Sequence, residues 1–374
     1  MKRKICFEII SSFFRMKPRF RFSVIIFVLF FFTSILIITR WSNLENIPVF
    51  IDVMHARKLR VLEVCNANNF DTIGDISNNQ RHLYNSASHY YWLRNMEIVW
   101  CPVYKAAAST WRNHLITVLN QTYGDVKSRK KKEGITRFSP QDPLLIHGAI
   151  RPSRKVWNEY VQELSLLNSN LTGFLVVRHP FERLVSAYRD KLERNNIMEP
   201  YYYNTFGKHF VKKYREKAKT ALGEEYFTEI NNFGTPLKVK DNRRQNADLP
   251  TFWEFAQSVI DGYKMDEHWE PIYKYCSICN PSSLKAFEYV LKFENLLSEE
   301  KKFLEYHRWN ISEKDILKLN INRPDTISDD QLTKLYFSSL SQDQIIGLYK
   351  VYELDFLLFD YTFQFNDLNL PMTK

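Results

Sequence analysis

Glycine is scarce in this chain, with 10 residues in a length of 374. So little glycine excludes a collagen-like or glycine-rich low-complexity protein, and we find no internal repeat. Aromatic residues are abundant instead, with 28 Phe, 21 Tyr and 8 Trp, and hydrophobic residues make up 45% of the sequence. This composition indicates dense packing in a chain long enough for one large domain or two ordinary ones.

Motifs of metal-dependent chemistry are also missing. The sequence has neither the GxxxxGK[ST] loop that holds nucleoside triphosphates nor a clear magnesium-binding carboxylate motif. A kinase or other phosphotransferase is therefore a weak alternative, because such enzymes bridge phosphates with the metal. The CxxC pair Cys276 and Cys279 has no second CxxC and no histidine pair at ligand spacing to complete a zinc site. We predict no metal.

One long uncharged run stands near the N-terminus. Residues 22–39, FSVIIFVLFFFTSILIIT, match the length of a hydrocarbon core. Seven basic residues precede the run, namely Lys2, Arg3, Lys4, Arg15, Lys17, Arg19 and Arg21. The positive-inside rule then predicts a cytosolic tail over 1–21, a transmembrane signal anchor over 22–39 and a lumenal remainder. The alternative is a cleaved signal peptide, but the basic region is long and no clean cleavage site follows.

A lumenal remainder agrees with two further features. Three N-glycosylation sequons begin at Asn120, Asn170 and Asn310. Four cysteines follow the predicted anchor, an even number that suits disulfides in an oxidising compartment, and their three possible pairings stay open. They are Cys65, Cys101, Cys276 and Cys279.

The net charge of +10 carries less information than its size suggests, since the N-terminal flank supplies seven of the positive charges. The rest of the chain is mildly basic, and we predict no nucleic-acid partner. The run KSRKKK over 127–132 reads first as a solvated loop and alternatively as a contact for a polyanion.

Two strand-then-helix units stand out along the chain. The apolar run within 96–104 predicts a buried strand, and the segment after it has apolar residues spaced for one helix face. The run FLVV over 174–177 is again followed by a helical pattern. We predict an α/β domain over 93–374, with a parallel sheet and flanking helices, after a stem over 40–92. Further helices are expected over 207–221, 252–260, 329–339 and 341–350.

The second unit places Arg178 at the carboxyl end of its strand. Pro180 suits the first turn of a helix, whose free N–H groups attract anions. Ligands of open α/β sheets bind at this edge. Ser186 falls on the polar side of the helix near Arg183, away from an apolar stripe formed by Phe181, Leu184, Val185, Tyr188 and Leu192. Arg178 and Ser186 could grip a phosphate; the alternative is a surface arginine beside an exposed serine.

The first unit favours the phosphate-binding interpretation. Lys105 stands at the end of its strand, small residues follow in the turn, and Ser109 and Thr110 begin the helix. Small side chains let the backbone approach a phosphate, while the lysine supplies positive charge.

With these two units and several further motifs, the sequence resembles a known family, the Golgi carbohydrate sulfotransferases of the chondroitin and dermatan 4-O-sulfotransferase group. The similarity extends over roughly 95–362 and rests on several motifs in order. They are CPVYKAAASTWRN (101–113), RHPFERLVSAYRDKLE (178–193), DEHWEPIYKYCSIC (266–279), KFENL (292–296) and YKVYELDFLLFDY (349–361).

The resemblance implies a P-loop-like sulfotransferase fold and 3′-phosphoadenosine 5′-phosphosulfate (PAPS) as donor. It assigns the 3′-phosphate to Arg178 and Ser186, and implies a Golgi type II membrane protein acting on a glycosaminoglycan or a glycoprotein glycan. It assigns the 5′-phosphosulfate to a loop formed by Lys105, Ala106, Ala107, Ala108, Ser109, Thr110 and Trp111. Departures from the family pattern at Tyr104 and Ala108 leave one alternative, a non-catalytic lumenal glycan-binding protein.

Sulfuryl transfer, like phosphoryl transfer, depends on positioning and charge stabilisation. Lys105 suits the charge that grows on the leaving oxygen. The acceptor hydroxyl needs a base that titrates near neutrality, and histidine is the first choice. His147 in LLIHGAI is the first candidate and His268 in DEHW the second, and the alternative for His268 is that it orients a loop or contacts the sugar.

Overall fold

A computed structural model describes residues 47–68, 90–93, 98–123, 149–150, 172–193, 201–223, 249–280, 287–311 and 328–363. The predicted anchor, His147, Asn170 and the basic run 127–132 lie outside these ranges. No helix within them is long and apolar enough to cross a membrane. The chain divides into two compact units, Met1–Val53 and Met54–Lys374. In the first unit, the described residues 47–53 are helical.

The described strands form one sheet, in the order β3-β1-β2-β4-β5. They are β1 (Tyr91–Leu93), β2 (Ile98–Cys101), β3 (Ala149–Ile150), β4 (Thr172–Val177) and β5 (Phe287–Lys292). The central trio β2, β4 and β5 is parallel, as predicted. However, β1 pairs antiparallel with both of its neighbours, so the sheet is mixed. The connection from β1 to β2 covers only 94–97, too few residues for the crossover that parallel strands need.

The described residues also form α-helices on either side of these strands in the sequence. They are α1 (47–67), α2 (Ala108–Tyr123), α3 (Pro180–Tyr188), α4 (Lys208–Leu222), α5 (Phe252–Ile260), α6 (Ile272–Tyr275), α7 (Leu296–Tyr306), α8 (Asp329–Phe337) and α9 (Gln342–Leu358). The four additional helices expected from the sequence are therefore confirmed, and α9 continues beyond its expected end. Capping boxes at Thr251, Ser328 and Ser341 fix where α5, α8 and α9 begin.

The parallel strands place two chain segments side by side. In the register of β2 and β4, Cys101 lies opposite Leu175, and both strands are buried along most of their length. Their carboxyl ends therefore emerge at the same edge of the sheet. The apolar stripe of α3 is buried as expected, and it packs in one core with residues of α4, α5, α8 and α9. This core holds α3 firmly behind the sheet edge.

Disulfides settle the cysteine pairing that the sequence leaves open. Cys65 is bonded to Cys279, and Cys101 is bonded to Cys276. Within the second compact unit, part of the predicted stem is thereby attached to the domain. Arg57 of α1 reinforces this attachment through two hydrogen bonds, of 2.8 and 2.7 Å, to the carboxylate of Glu299.

Candidate active site

The turn after β2 has an unusual backbone. Lys105 and Ala107 adopt φ angles of 67° and 61°, in the left-handed region that residues with a Cβ rarely occupy. Such strain concentrates at functional sites. The turn leads directly into α2, whose first turn contains no acidic residue. The unpaired N–H groups and positive end of the helix dipole therefore make this end of α2 suited to an anion.

Side chains of the predicted phosphosulfate loop face different environments. Ser109 is exposed, whereas Thr110 is 7% exposed and Trp111 is fully buried. The Trp111 ring packs against Phe174 at a centroid distance of 4.7 Å. Trp111 therefore anchors α2 to the sheet. The alanines keep the turn narrow, with Ala106 and Ala108 buried and Ala107 half-buried.

Arg178 lies at the carboxyl end of β4, where the sequence places it, but it is not a surface arginine. Its side chain is 3% exposed. Its Nη1 donates to the backbone carbonyl of Lys105 at 3.0 Å, so the two strand ends are directly joined. Its Nη2 lies 2.7 Å from the Asp329 carboxylate of α8, and its guanidinium stacks 4.5 Å above the Phe293 ring. Ser186 is half-buried farther along α3.

Arg183 corrects an expectation from the sequence. Helical spacing assigns it to the polar side of α3, yet the structure buries it at 1% exposure. Its guanidinium donates to the carbonyls of Tyr104, Glu270 and Glu267 at 2.9, 2.7 and 3.1 Å. Two segments that are distant in sequence therefore cover this arginine and supply its acceptors. As a result, Arg183 fastens the Lys105 turn to the DEHW segment.

His268 lies beside the Lys105 turn. Its Nδ1 is 2.6 Å from Asp266 Oδ1 and 3.2 Å from the Tyr202 hydroxyl. Its ring lies 4.5 Å from the ring of Tyr104. The Asp266 carboxylate accepts only if Nδ1 carries the proton, which assigns the acceptor lone pair of a neutral ring to Nε2. His268 therefore has the tautomer of a general base, held from behind by a carboxylate.

The Lys105 ammonium has a partner that the sequence does not reveal. Its Nζ lies 3.1 Å from Asp190 Oδ2, and the same carboxylate oxygen lies 3.3 Å from Lys191 Nζ. Burial lowers the pKa of Lys105, and Asp190 opposes that shift by favouring the charged form. Partial burial favours a higher pKa for Asp190, but the charges of Lys105 and Lys191 outweigh it and hold the pKa of this carboxyl below its usual value.

The structure thus brings together three predicted site residues, Lys105, Arg178 and His268. Sequence reasoning missed Tyr202, whose contact with His268 joins distant segments. It also missed Asp190, because the contact of Asp190 with Lys105 depends on how the chain continues after α3. That continuation is a π-helical turn over Arg189–Glu193. Among the described residues, no group of three or more His, Cys, Asp or Glu side chains is arranged to hold a metal ion.

Comparisons with known proteins identify the family of the chain. Residues 88–362 match the model of the sulfotransferase family. The chain is 29% identical to Carbohydrate sulfotransferase 9 of Homo sapiens over 303 residues, which are 78% of this chain and 57% of that protein. It is 27% identical to Carbohydrate sulfotransferase 11 of Mus musculus over 316 residues, 82% of this chain and 75% of that protein.

The chain therefore spans just over half the length of the human relative, at 57%. No solved structure gives a significant match. The helices and the parallel centre of the sheet fit a sulfotransferase fold, and the match over 88–362 covers most of the chain. This chain belongs to the sulfotransferase family.

Proposed function

We propose that this protein is a carbohydrate O-sulfotransferase that takes its sulfuryl group from PAPS. One observation carries the proposal: Lys105 lies in the turn after β2, Arg178 directly follows the neighbouring parallel strand β4, and a 3.0 Å hydrogen bond joins the two residues. A helix begins just after each of them. A strand end followed by a helix start is the usual place for a phosphate in open α/β folds. Two of them side by side suit a donor with two anionic groups.

The residues of the Lys105 turn have the donors that a phosphosulfate requires. Bound PAPS supplies a sulfuryl group on an activated phosphosulfate linkage. The free N–H groups at the start of α2 and the exposed Ser109 hydroxyl can donate to anionic oxygens. Lys105 carries positive charge in the same turn and can stabilise negative charge on the leaving oxygen. Because Asp329 and the Lys105 carbonyl already engage Arg178, this arginine also fixes the turn itself.

We assign the general base to His268. Its Nδ1 is bonded to Asp266, so Nε2 can accept the proton of an acceptor hydroxyl. The ring contact with Tyr104 brings it next to the Lys105 turn. His147 stays a prediction, because it lies outside the described residues.

The names of the relatives suggest carbohydrate acceptors. We propose that the acceptor is a chondroitin-like glycosaminoglycan or a glycoprotein glycan. We also propose that the anchor predicted from the sequence holds the protein in the Golgi membrane, with the catalytic domain in the lumen. The sequon asparagine Asn310 is exposed and therefore accessible to glycosylation. Asn120 and Asn170 remain predicted glycosylation sites.

A transfer assay tests the proposal. The purified full chain would receive labelled PAPS together with desulfated chondroitin, dermatan, heparan or a glycoprotein glycan, and Lys105→Ala and His268→Ala would be run in parallel. We expect label on one acceptor class with wild type and strongly reduced label with both variants. Binding of PAPS without label on any acceptor would instead favour the non-catalytic glycan-binding alternative. No binding of PAPS would refute the proposed donor site.

A further inference from the structure

Asp190 occupies a central position between the two groups that the proposed reaction uses. Its Oδ2 lies 3.1 Å from Lys105 Nζ and 3.3 Å from Lys191 Nζ. The Lys191 ammonium in turn lies 4.5 Å from the centroid of the Tyr202 ring, whose hydroxyl is 3.2 Å from His268 Nδ1. A continuous series of contacts therefore runs from Lys105 through Asp190 to His268.

The backbone around Asp190 is also specialised. Arg189–Glu193 forms a π-helical turn directly after α3. Such turns are rare, and they occur frequently at functional sites because they redirect side chains that a regular helix would carry elsewhere. Here the turn supplies both Asp190 and Lys191 to the strand edge. The C-terminal end of the turn is buried, since Leu192 is 2% and Glu193 is 4% exposed. This burial fixes the turn in place.

We infer that Asp190 is a positioning residue for Lys105: its carboxylate pairs with the ammonium and holds it in place beside the Lys105 turn. The inference rests on the proposed function, since positioning matters only if Lys105 acts on the donor. Asp190 touches Lys105 rather than the reacting atoms, so it acts through the lysine. The Asp190 side chain is 47% exposed and that of Lys105 is 20% exposed, so solvent reaches the pair.

The charges around Lys105 show why this carboxylate matters. Burial works against the charged form of the lysine, and so do Lys191 and Arg178. Among the charged groups that act most strongly on Lys105, Asp190 favours the ammonium. Without it, a partly buried ammonium would face two neighbouring cations. Both the charge and the position of the Lys105 ammonium therefore depend on Asp190.

Asp190→Asn keeps the shape of the side chain and removes its charge. Two readouts follow. The first is the pH dependence of Lys105 acetylation by acetic anhydride, read peptide by peptide by mass spectrometry in the full chain, because only the neutral amine reacts. We expect the midpoint for Lys105 to fall by about one pH unit or more, the usual effect of losing an opposite charge at this distance.

The second readout is sulfate transfer from PAPS. We expect kcat to fall about tenfold through misplacement of the lysine, and the alkaline limb of the pH profile to move to lower pH. The KM for PAPS should not rise, since removing a carboxylate makes the site more positive. Asp190→Glu should recover part of kcat because it restores the charge. Glu288→Gln is the matched control. Glu288, at the start of β5, has an exposed carboxylate that lies 3.3 Å from the ammonium of Lys58, and the substitution removes this charge from the pair.

An unchanged Lys105 midpoint in Asp190→Asn would overturn the inference, and so would a raised KM with kcat intact. The labelling readout needs no activity, so it separates this inference from the proposed function. Absence of transfer by the wild type would count against the proposed function and against a positioning role in it. Lys105 labelling would still report whether Asp190 holds the ammonium.

Discussion

Replacing Arg183 with methionine should strongly destabilise the protein, because this side chain connects two segments of the site from a fully buried position. The guanidinium donates to three backbone carbonyls, those of Tyr104, Glu270 and Glu267, at 2.9, 2.7 and 3.1 Å. Methionine can fill most of the space occupied by the aliphatic stem. It can donate to none of the three carbonyls, so each of them loses the donor that Arg183 supplies.

The size of the effect follows from these contacts. A hydrogen bond to a charged group contributes about 1.5–3 kcal/mol net, and an acceptor left buried and unsatisfied carries a further penalty. Burial of the guanidinium opposes part of this gain, as the lowered pKa of Arg183 shows. We therefore expect Arg183→Met to lower the free energy of unfolding by about 3–5 kcal/mol.

Arg60→Met is the matched control. Arg60 also donates to a backbone carbonyl, that of Leu357 at 2.8 Å, but its side chain is 39% exposed. Water can replace this contact, so the loss should stay below about 1 kcal/mol. Urea unfolding of the purified full chain, followed by tryptophan fluorescence, measures both variants. Equal losses for the two substitutions would show that burial does not determine the contribution of the contact.

Two further predictions concern stability. Replacing both Cys65 and Cys279 with serine should lower the free energy of unfolding by about 2–5 kcal/mol, because their disulfide closes a long loop, with a sequence separation of 214; an unchanged urea midpoint in the double variant would contradict this. Burial raises the pKa of the Glu182 carboxyl from 4.5 to about 7 despite the nearby Arg178. The folded state then binds a proton that the unfolded chain has released, so stability should fall as pH rises between about 5 and 8. Glu182→Gln should remove that contribution, so the free energy of unfolding of the variant, measured by urea unfolding at several pH values, should fall less steeply with pH than that of wild type. The same pH dependence in both proteins would show that the carboxyl stays ionised.

Sequence patterns predicted the parts of the site that depend on local order. The buried runs before Lys105 and Arg178 define strand ends, and Pro180 marks the start of a helix regardless of what packs around it. The parallel register of β2 and β4 then brings the two basic residues together. For this reason the sequence could predict that Lys105 and Arg178 lie close together.

Other features depend on contacts between distant segments and leave little trace in the local pattern. The burial of Arg183 requires carbonyls from both the Lys105 turn and the DEHW segment. Asp190 contacts Lys105 because α3 continues as a π-helical turn, and no residue pattern in RDKLE predicts that change. The disulfide pairing and the antiparallel edge strand β1 likewise follow from the tertiary arrangement.

Single-turnover transfer of labelled sulfate from PAPS to the preferred acceptor, with wild type and Lys105→Ala compared at saturating PAPS, tests most directly whether Lys105 acts in catalysis. We expect a loss of at least about a hundredfold in the transfer rate of the variant, the usual effect of removing a group that stabilises transition-state charge, while its urea midpoint stays that of wild type. Transfer by Lys105→Ala at a rate close to wild type would show that the lysine in the turn after β2 takes no part in the chemistry.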